Sequence, residues 1–216
     1  MRRVTVRADT VRGVAITPAQ DVELHLRDEH GRRVKRRYTI RHARPDAGEL
    51  DLDVLLHGEG PGSTWGAAAA AGDDISFQGP RGKLELRPAP HHLLVGDESA
   101  LPAIATVCEA LPAGETATAV VEVADADDEQ SLPATVHWVH RGEAPAGGAD
   151  RLRGVLAGLD VPAGTRAYLM GESRAMIALR PLLEQRGVAH DAMFVKGYWN
   201  IGRPDRITGR TPGEPA

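Results

Sequence analysis

The sequence predicts a two-domain chain, an antiparallel β-barrel followed by an α/β domain built on a parallel sheet. Three observations carry that expectation. Short runs of alternating apolar and polar residues fill the first part, as in Val22-Glu23-Leu24-His25-Leu26 and Leu50-Asp51-Leu52-Asp53-Val54-Leu55-Leu56. In the second part, strand-like and helix-like segments alternate, the pattern of crossover connections. Between them stands Arg87-Pro88-Ala89-Pro90, which sets the boundary between a domain over 1–88 and a domain over 89–216.

The elements follow in order. Val22–Leu26 is a strand, Asp28-Glu29-His30-Gly31 a turn, and Val34–Arg41 a second strand carrying Tyr38, Thr39 and Ile40. Leu50–Leu56 is a third strand, broken by the glycines from Gly58 to Gly62. Thr64–Ala71 suits a short helix, and Ile75-Ser76-Phe77 a strand ended by Gly79-Pro80-Arg81-Gly82. In the second part, His92–Val95 is a strand and Ser99 the N-cap of a helix that carries Pro102 early and ends near Leu111. Thr118–Val123, Val136–Val139 and Ala167–Met170 are buried-type strands. A helix then runs from Gly171-Glu172-Ser173 toward Arg186, with Pro181 expected to kink or split it. Met193-Phe194-Val195 is the final strand, before an irregular tail.

Composition excludes several function classes. The 216 residues are 42% hydrophobic and 26% charged, an ordinary globular balance. The net charge is −4, with +2 over residues 1–90 and −6 over the rest, so the overall basic excess of a nucleic-acid binder is lacking. One cysteine, Cys108, permits neither an intrachain disulfide nor a cysteine-held metal. No run of 18 apolar residues and no signal core occur, so neither membrane insertion nor export is expected and the location expected is cytoplasmic. The nine histidines form no metal constellation, and Ser99, Ser131 and Ser173 lack the elbow of a hydrolase nucleophile. Asp125-Ala126-Asp127-Asp128-Glu129 reads as a solvated acidic loop. No side chain is expected to be catalytic.

Three segments carry ligand chemistry. In Arg36-Arg37-Tyr38-Thr39, a tyrosine ring can stack on a flavin, the threonine hydroxyl can reach its reactive edge, and Arg36 can pair with a pyrophosphate. The same residues also suit a basic edge strand that resists aggregation. His57-Gly58-Glu59-Gly60-Pro61-Gly62-Ser63-Thr64-Trp65 combines glycines that admit close backbone approach with a helix N-terminus and two hydroxyls, or is a capped turn. Gly96-Asp97-Glu98-Ser99-Ala100-Leu101-Pro102 lies between a strand and a helix, where an α/β sheet receives a dinucleotide. Its two carboxylates, Asp97 and Glu98, oppose a phosphate placed directly on that loop.

Taken in order, these segments resemble the siderophore-interacting protein family, a branch of the ferredoxin-reductase-like flavoproteins. The match runs over roughly residues 14–203. Beyond the three segments it includes Gly72-Asp73, Gly79-Pro80-Arg81-Gly82, Glu122-Val123-Ala124-Asp125, His137-Trp138-Val139-His140-Arg141, Gly171-Glu172-Ser173 and Lys196-Gly197-Tyr198-Trp199. The resemblance implies a flavin-binding barrel joined to a nicotinamide-binding sheet, with FAD held noncovalently, reduced by NAD(P)H and reoxidised by a ferric siderophore. It assigns Arg36, Tyr38 and Thr39 to the flavin, and His57, Gly60, Gly62, Ser63, Thr64 and Trp65 to the segment around the pyrophosphate. Gly96, Asp97, Glu98, Ser99 and Glu172 would flank the nicotinamide, with Tyr198 and Trp199 covering a flavin or substrate face. Arg141, at a strand end, is a candidate reader of the NADPH 2′-phosphate. Arg33, Lys35 and Lys196, with Arg32, are candidates to steer an anionic substrate. Relatives carry a further stretch before the position of Met1, so an open barrel edge, and a homodimer through it, is one expectation. Two other readings stand beside the reductase: an enzyme of the same fold serving free flavin, a quinone or an oxygenase, and a non-catalytic binding protein without FAD.

Overall fold

The computed structural model describes residues 1–202; the tail expected beyond residue 202 lies outside the described residues. Contacts divide the chain into two compact units, Met1–Glu85 and one that begins at Leu86.

In the first unit, strands β1 (Arg2–Arg7), β2 (Asp21–Arg27), β3 (Arg33–Arg44), β4 (Glu49–Val54) and β5 (Ser76–Arg81) form an antiparallel sheet in the order β1-β4-β3-β2-β5. Period-two alternation turns Val22, Leu24 and Leu26 inward with Val6, Ile40, Leu50 and Leu52, and Val34, Trp65 and Phe77 pack around them. β3 is twelve residues long because it serves two partners. Its first half pairs with β2 up to Thr39, and its second half pairs with β4 from Ile40. The hand-over carries a register shift between Ile40 and His42, and such a bulge bends a strand and re-aims its side chains. Tyr38 and Thr39 sit directly before it.

Helix α1 spans Pro61–Ala68, so it starts and ends three residues earlier than the expected Thr64–Ala71. Proline at the first helical position needs no N–H partner, and its ring pre-sets the helical φ. The other end is held by β1. The Arg2 guanidinium donates to the carbonyls of Gly66 (2.9 Å), Ala67 and Ala69 (2.7 Å), satisfying acceptors that a helix C-terminus leaves unpaired. Gly66 lets α1 press on β4, since a Cβ there would lie 2.5 Å from Val54 Cγ1.

In the second unit, β6 (His91–Asp97), β7 (Thr116–Val123), β8 (Thr135–His140), β9 (Arg166–Glu172) and β10 (Met193–Trp199) form a wholly parallel sheet in the order β10-β9-β6-β7-β8. Helix α2 (Leu101–Glu109) packs against β6 and β7. Helices α3 (Ala149–Gly158) and α4 (Ser173–Gln185) bury Leu152, Leu156, Met176, Leu179 and Leu183 against Leu93, Val95, Val120 and Leu169. The chain order reverses between β6 and β9, so the crevice where an open α/β sheet binds ligands lies at the carboxyl ends of those two strands.

Three expectations about this unit need correction. Asp97, not Ser99, is the capping residue: its carboxylate accepts from the Ser99 N–H at the start of a single 3-10 turn over Glu98–Ala100 that precedes α2. Pro181 does not split α4, which runs unbroken through it. The N–H that proline lacks would have gone to the carbonyl of Ile177, an exposed position where water can serve. Finally, Tyr198 and Trp199 do not follow the last strand but end it, as part of β10.

Candidate functional site

The first unit brings two of the sequence-predicted segments together. A Cβ on Gly62, in the first turn of α1, would collide with the Tyr38 hydroxyl and approach Arg36 Cγ at 3.8 Å. Only glycine lets the start of α1 lie this close to β3. Tyr38 and Trp65 rings meet at 5.9 Å, tilted by 42°, within the range for favourable aromatic contact. Burial pushes the Tyr38 phenol up to about 12, so it stays neutral and keeps its proton to donate. Thr39 is buried, and its Oγ1 has no hydrogen-bond partner among the described residues, which is the unusual state for a buried hydroxyl.

The α1 start presents free backbone donors at Gly62 and Ser63, since the first intrahelical bond runs from the Thr64 N–H to the Gly60 carbonyl at 2.9 Å. No side chain caps that end. The Ser63 hydroxyl points elsewhere: it accepts from the His57 N–H at 2.7 Å and donates to the His57 carbonyl at 2.8 Å, fixing the loop between β4 and α1. The hydroxyl is thus engaged within its own loop, which leaves the Ser63 backbone N–H at the helix start. The Thr64 hydroxyl is exposed and lies 3.4 Å from the Glu59 carbonyl, and the His57 side chain is exposed.

The basic residues are less free than their charge suggests. Glu23 on β2, 3% exposed, has Lys35 Nζ and Arg81 Nη2 each at 2.8 Å and Arg37 at 3.7 Å. Burial pushes its carboxyl up, but Lys35 and Arg81 override that and hold it down to about 2. Arg32 is paired with Asp28 at 2.7 Å. Arg33 is exposed at the start of β3. In the second unit Lys196, on β10, has its ammonium 5.0 Å from the Tyr198 ring centre, and the Tyr198 hydroxyl points to Met170 Sδ at 3.9 Å.

At the β6/β9 crevice the second unit turns its polar groups on one another. The buried Asp97 carboxylate accepts from the Ser99 N–H at 3.0 Å and the Ser99 hydroxyl through one oxygen. Through the other it accepts from the Glu172 N–H and the Trp199 Nε1–H, both at 2.9 Å. Burial pushes the Asp97 carboxyl above the usual carboxylate range, against the pull of these four donors. Gly171 must be glycine here, because a Cβ would lie 2.7 Å from Asp97 Oδ2. Glu172 is equally buried: one oxygen caps α4 through the Ala175 N–H at 2.7 Å, and the other accepts from the Ile201 N–H at 3.2 Å.

Glu98 and Arg141 form a forked, largely buried ion pair. These pairings bear on two expectations. Neither Asp97 nor Glu98 projects at an incoming phosphate, since each is consumed by an internal partner. Arg141, expected to read a 2′-phosphate, has its planar end committed to Glu98. Beyond it, Glu122 at the end of β7 is bound by Arg151 at 2.8 Å. Sequence reasoning does not single out Arg151 or Gly147; a glycine at φ +86 in Ala146-Gly147-Gly148 before a helical period is the available signal.

The model of the siderophore-interacting FAD-binding domain matches residues 5–84, and that of the siderophore-interacting protein matches residues 89–202. An uncharacterised protein of Mycobacterium tuberculosis is 39% identical over 189 residues, covering 80% of this chain and 67% of that one. Ferric vibriobactin reductase ViuB of Vibrio cholerae is 31% identical over 201 residues, covering 88% of this chain and 73% of the reductase. The crystal structure of a siderophore utilization protein from T. fusca superposes with a TM-score of 0.82 at 34% identity, covering 93% of this chain and 87% of that one. No helix among the described residues is long and apolar enough to cross a membrane.

Proposed function

Because the chain belongs to the siderophore-interacting protein family, we propose that it is a cytoplasmic NAD(P)H-dependent reductase that holds FAD in its first unit and reduces the iron(III) of a siderophore complex. The observation that carries this reading is the junction of Tyr38, Thr39 and Gly62. An aromatic ring, a buried hydroxyl lacking a partner and a helix start stripped of its Cβ are what a flavin with a pyrophosphate tail requires.

In this reading Tyr38 offers a face for the isoalloxazine, braced from behind by Trp65. Thr39 Oγ1 serves the polar edge of the same ring. The N–H groups of Gly62 and Ser63, at the positive end of α1, take the pyrophosphate, and Arg36 adds charge beside them. Arg2, clamped on the far end of α1, keeps that helix start in place. Bound FAD supplies the link between a two-electron donor and a one-electron acceptor. The protein then needs no nucleophile and no general base, only positioning. One electron converts chelated iron(III) to iron(II), which oxygen-rich chelators hold far less tightly, so the metal is released. Within the first unit Arg33, with Lys35 softened by Glu23, favours the approach of an anionic complex, and within the second unit Lys196 carries charge of the same sign.

The test is turnover under argon with NADH or NADPH, on ferric siderophores beside a quinone and free flavin, with iron(II) trapped by a colorimetric chelator. Faster iron(II) formation from the siderophore than reduction of the other acceptors supports the reading. Preference for the quinone or free flavin refutes the substrate while leaving the flavoenzyme.

A further inference from the structure

In an open α/β sheet that holds a dinucleotide, the adenosine ribose lies beside the carboxyl end of the strand after the first crossover helix. An acidic residue there takes the ribose 2′-hydroxyl, whereas an arginine nearby takes a 2′-phosphate. In this chain that strand is β7. Glu122 stands at its carboxyl end, in register between Asp97 on β6 and Val139 on β8. Arg141 follows β8, its N–H donating to the Val123 carbonyl at 3.0 Å. Both alternatives are therefore present side by side.

They differ in how much capacity is left. Arg141 is held in a fork by both oxygens of Glu98, and it lies in the field of Glu122 and Asp128 as well. A 2′-phosphate would have to expel Glu98 from a largely buried pair and leave that carboxylate uncompensated. Glu122, 1% exposed, is half used. Its Oε2 accepts from Arg151 Nε at 2.8 Å, while Oε1 is buried with no hydrogen-bond partner among the described residues. A charged oxygen in that state is uncommon, and a single hydroxyl donor would satisfy it. A phosphate in the same place would meet the like charge of Glu122 instead.

Arg151 Nη2 also donates to the Pro145 carbonyl at 3.0 Å, which ties Glu122 to the loop between β8 and α3. Because Oε1 is buried, a ribose reaches it by displacing this loop. Gly142 and Gly147, both at positive φ, give the loop backbone freedom to move.

We infer that Glu122 sets the choice of nicotinamide cofactor: its unused oxygen takes the adenosine 2′-hydroxyl, its charge turns a 2′-phosphate away, and the chain uses NADH. Glu98 is on this account a positioning residue, which withholds Arg141 from the phosphate. The inference rests on the proposed use of a nicotinamide by this chain and narrows it to one cofactor.

The experiment is calorimetric titration of the FAD-loaded full chain with three oxidised probes, so no turnover occurs. The probes are NAD⁺, NADP⁺ and NAD⁺ lacking the adenosine 2′-hydroxyl. NAD⁺ is expected to bind about 100-fold more tightly than NADP⁺. It is expected to bind about tenfold more tightly than its deoxy analogue. Glu122→Gln keeps the volume and an acceptor for Arg151 but removes the charge, so the ratio of NADP⁺ to NAD⁺ affinity should rise about tenfold. Glu98→Gln should raise the same ratio about fivefold and leave the deoxy penalty intact. A merely structural role would weaken all three probes alike. The deoxy probe acts on the unaltered protein, so the test stands even where a variant fails to fold. NADP⁺ binding as tightly as NAD⁺, or equal binding of NAD⁺ and its deoxy analogue, overturns the role of Glu122 and leaves the nicotinamide reading standing. A ratio that folded Glu122→Gln leaves unchanged does the same. Absence of binding by all three probes overturns both.

Discussion

In the first unit, the residues around Tyr38 meet a helix start from which even a methyl group is excluded, and the buried Thr39 hydroxyl has no partner among the described residues. In the second, the equivalent polar groups are turned inward, with Asp97 satisfied four times over and Glu98 locked to Arg141. The contrast separates two kinds of binding. A preorganised cradle gives tight retention, because little ordering cost falls on the ligand. A crevice satisfied by its own side chains must exchange those contacts for ligand contacts, and so binds and releases. On the proposed reading, one site serves a resident cofactor and the other a passing one.

The largest expected effect comes from Asp97→Ala. It leaves the buried Glu172 N–H unpaired at about 1–3 kcal/mol, and the part-buried donors of Ser99 and Trp199 at less, so the second unit should lose on the order of 3 kcal/mol. Denaturant melts followed by Trp138 and by flavin release should show the second unit failing first. Simultaneous failure of both units would break the contrast. Next, Gly62→Ala forces a methyl against the Tyr38 hydroxyl, a cost of about 1–3 kcal/mol, so FAD affinity should fall by roughly 10- to 100-fold. Nucleotide binding by the second unit should be unchanged, as measured by titration of each cofactor separately.

Much of this fold is legible in the sequence because its strands keep a clean period. Val22–Leu26 and Leu50–Val54 alternate, and the core strands of the second unit read as continuous apolar runs. β1 escapes such a reading although Val4 and Val6 alternate with Arg3, Thr5 and Arg7, because so basic a run looks like an exposed terminus. α3 escapes it because Gly154 and Gly158 weaken its propensity, though Leu152, Val155 and Leu156 sit at helical spacing. At the sites, residue type is visible but direction is not. Nothing local tells that Ser63 faces its own loop, or that Asp97 reaches an indole 102 positions away. Those pairings are made by topology.

Two smaller effects sharpen the comparison. Glu98→Gln weakens the ion pair that occupies Arg141, so the ratio of NADPH to NADH affinity should rise about fivefold. An unchanged ratio would remove Arg141 from cofactor choice. In the first unit, Glu23 and Asp51 are both held at about 2, below their ordinary values, by Lys35 and Arg81 in one case and by Arg44 in the other. A depressed carboxylate stabilises the fold fully above its ordinary range and loses that contribution as pH falls toward 2. The stability gap between wild type and Glu23→Gln, about 1 kcal/mol given the exposed partners, should therefore close between roughly pH 4.5 and pH 2. A gap independent of pH would show that Glu23 acts by packing instead.

The most direct test of the electron path is the visible spectrum of the purified protein under argon, recorded before and after NADPH or NADH and again after a ferric siderophore. The account predicts a flavin band that bleaches with nicotinamide and returns with the siderophore, while iron(II) appears in step. A protein that takes up no flavin on incubation with FAD, or a bleached band that the siderophore leaves unchanged, would contradict it.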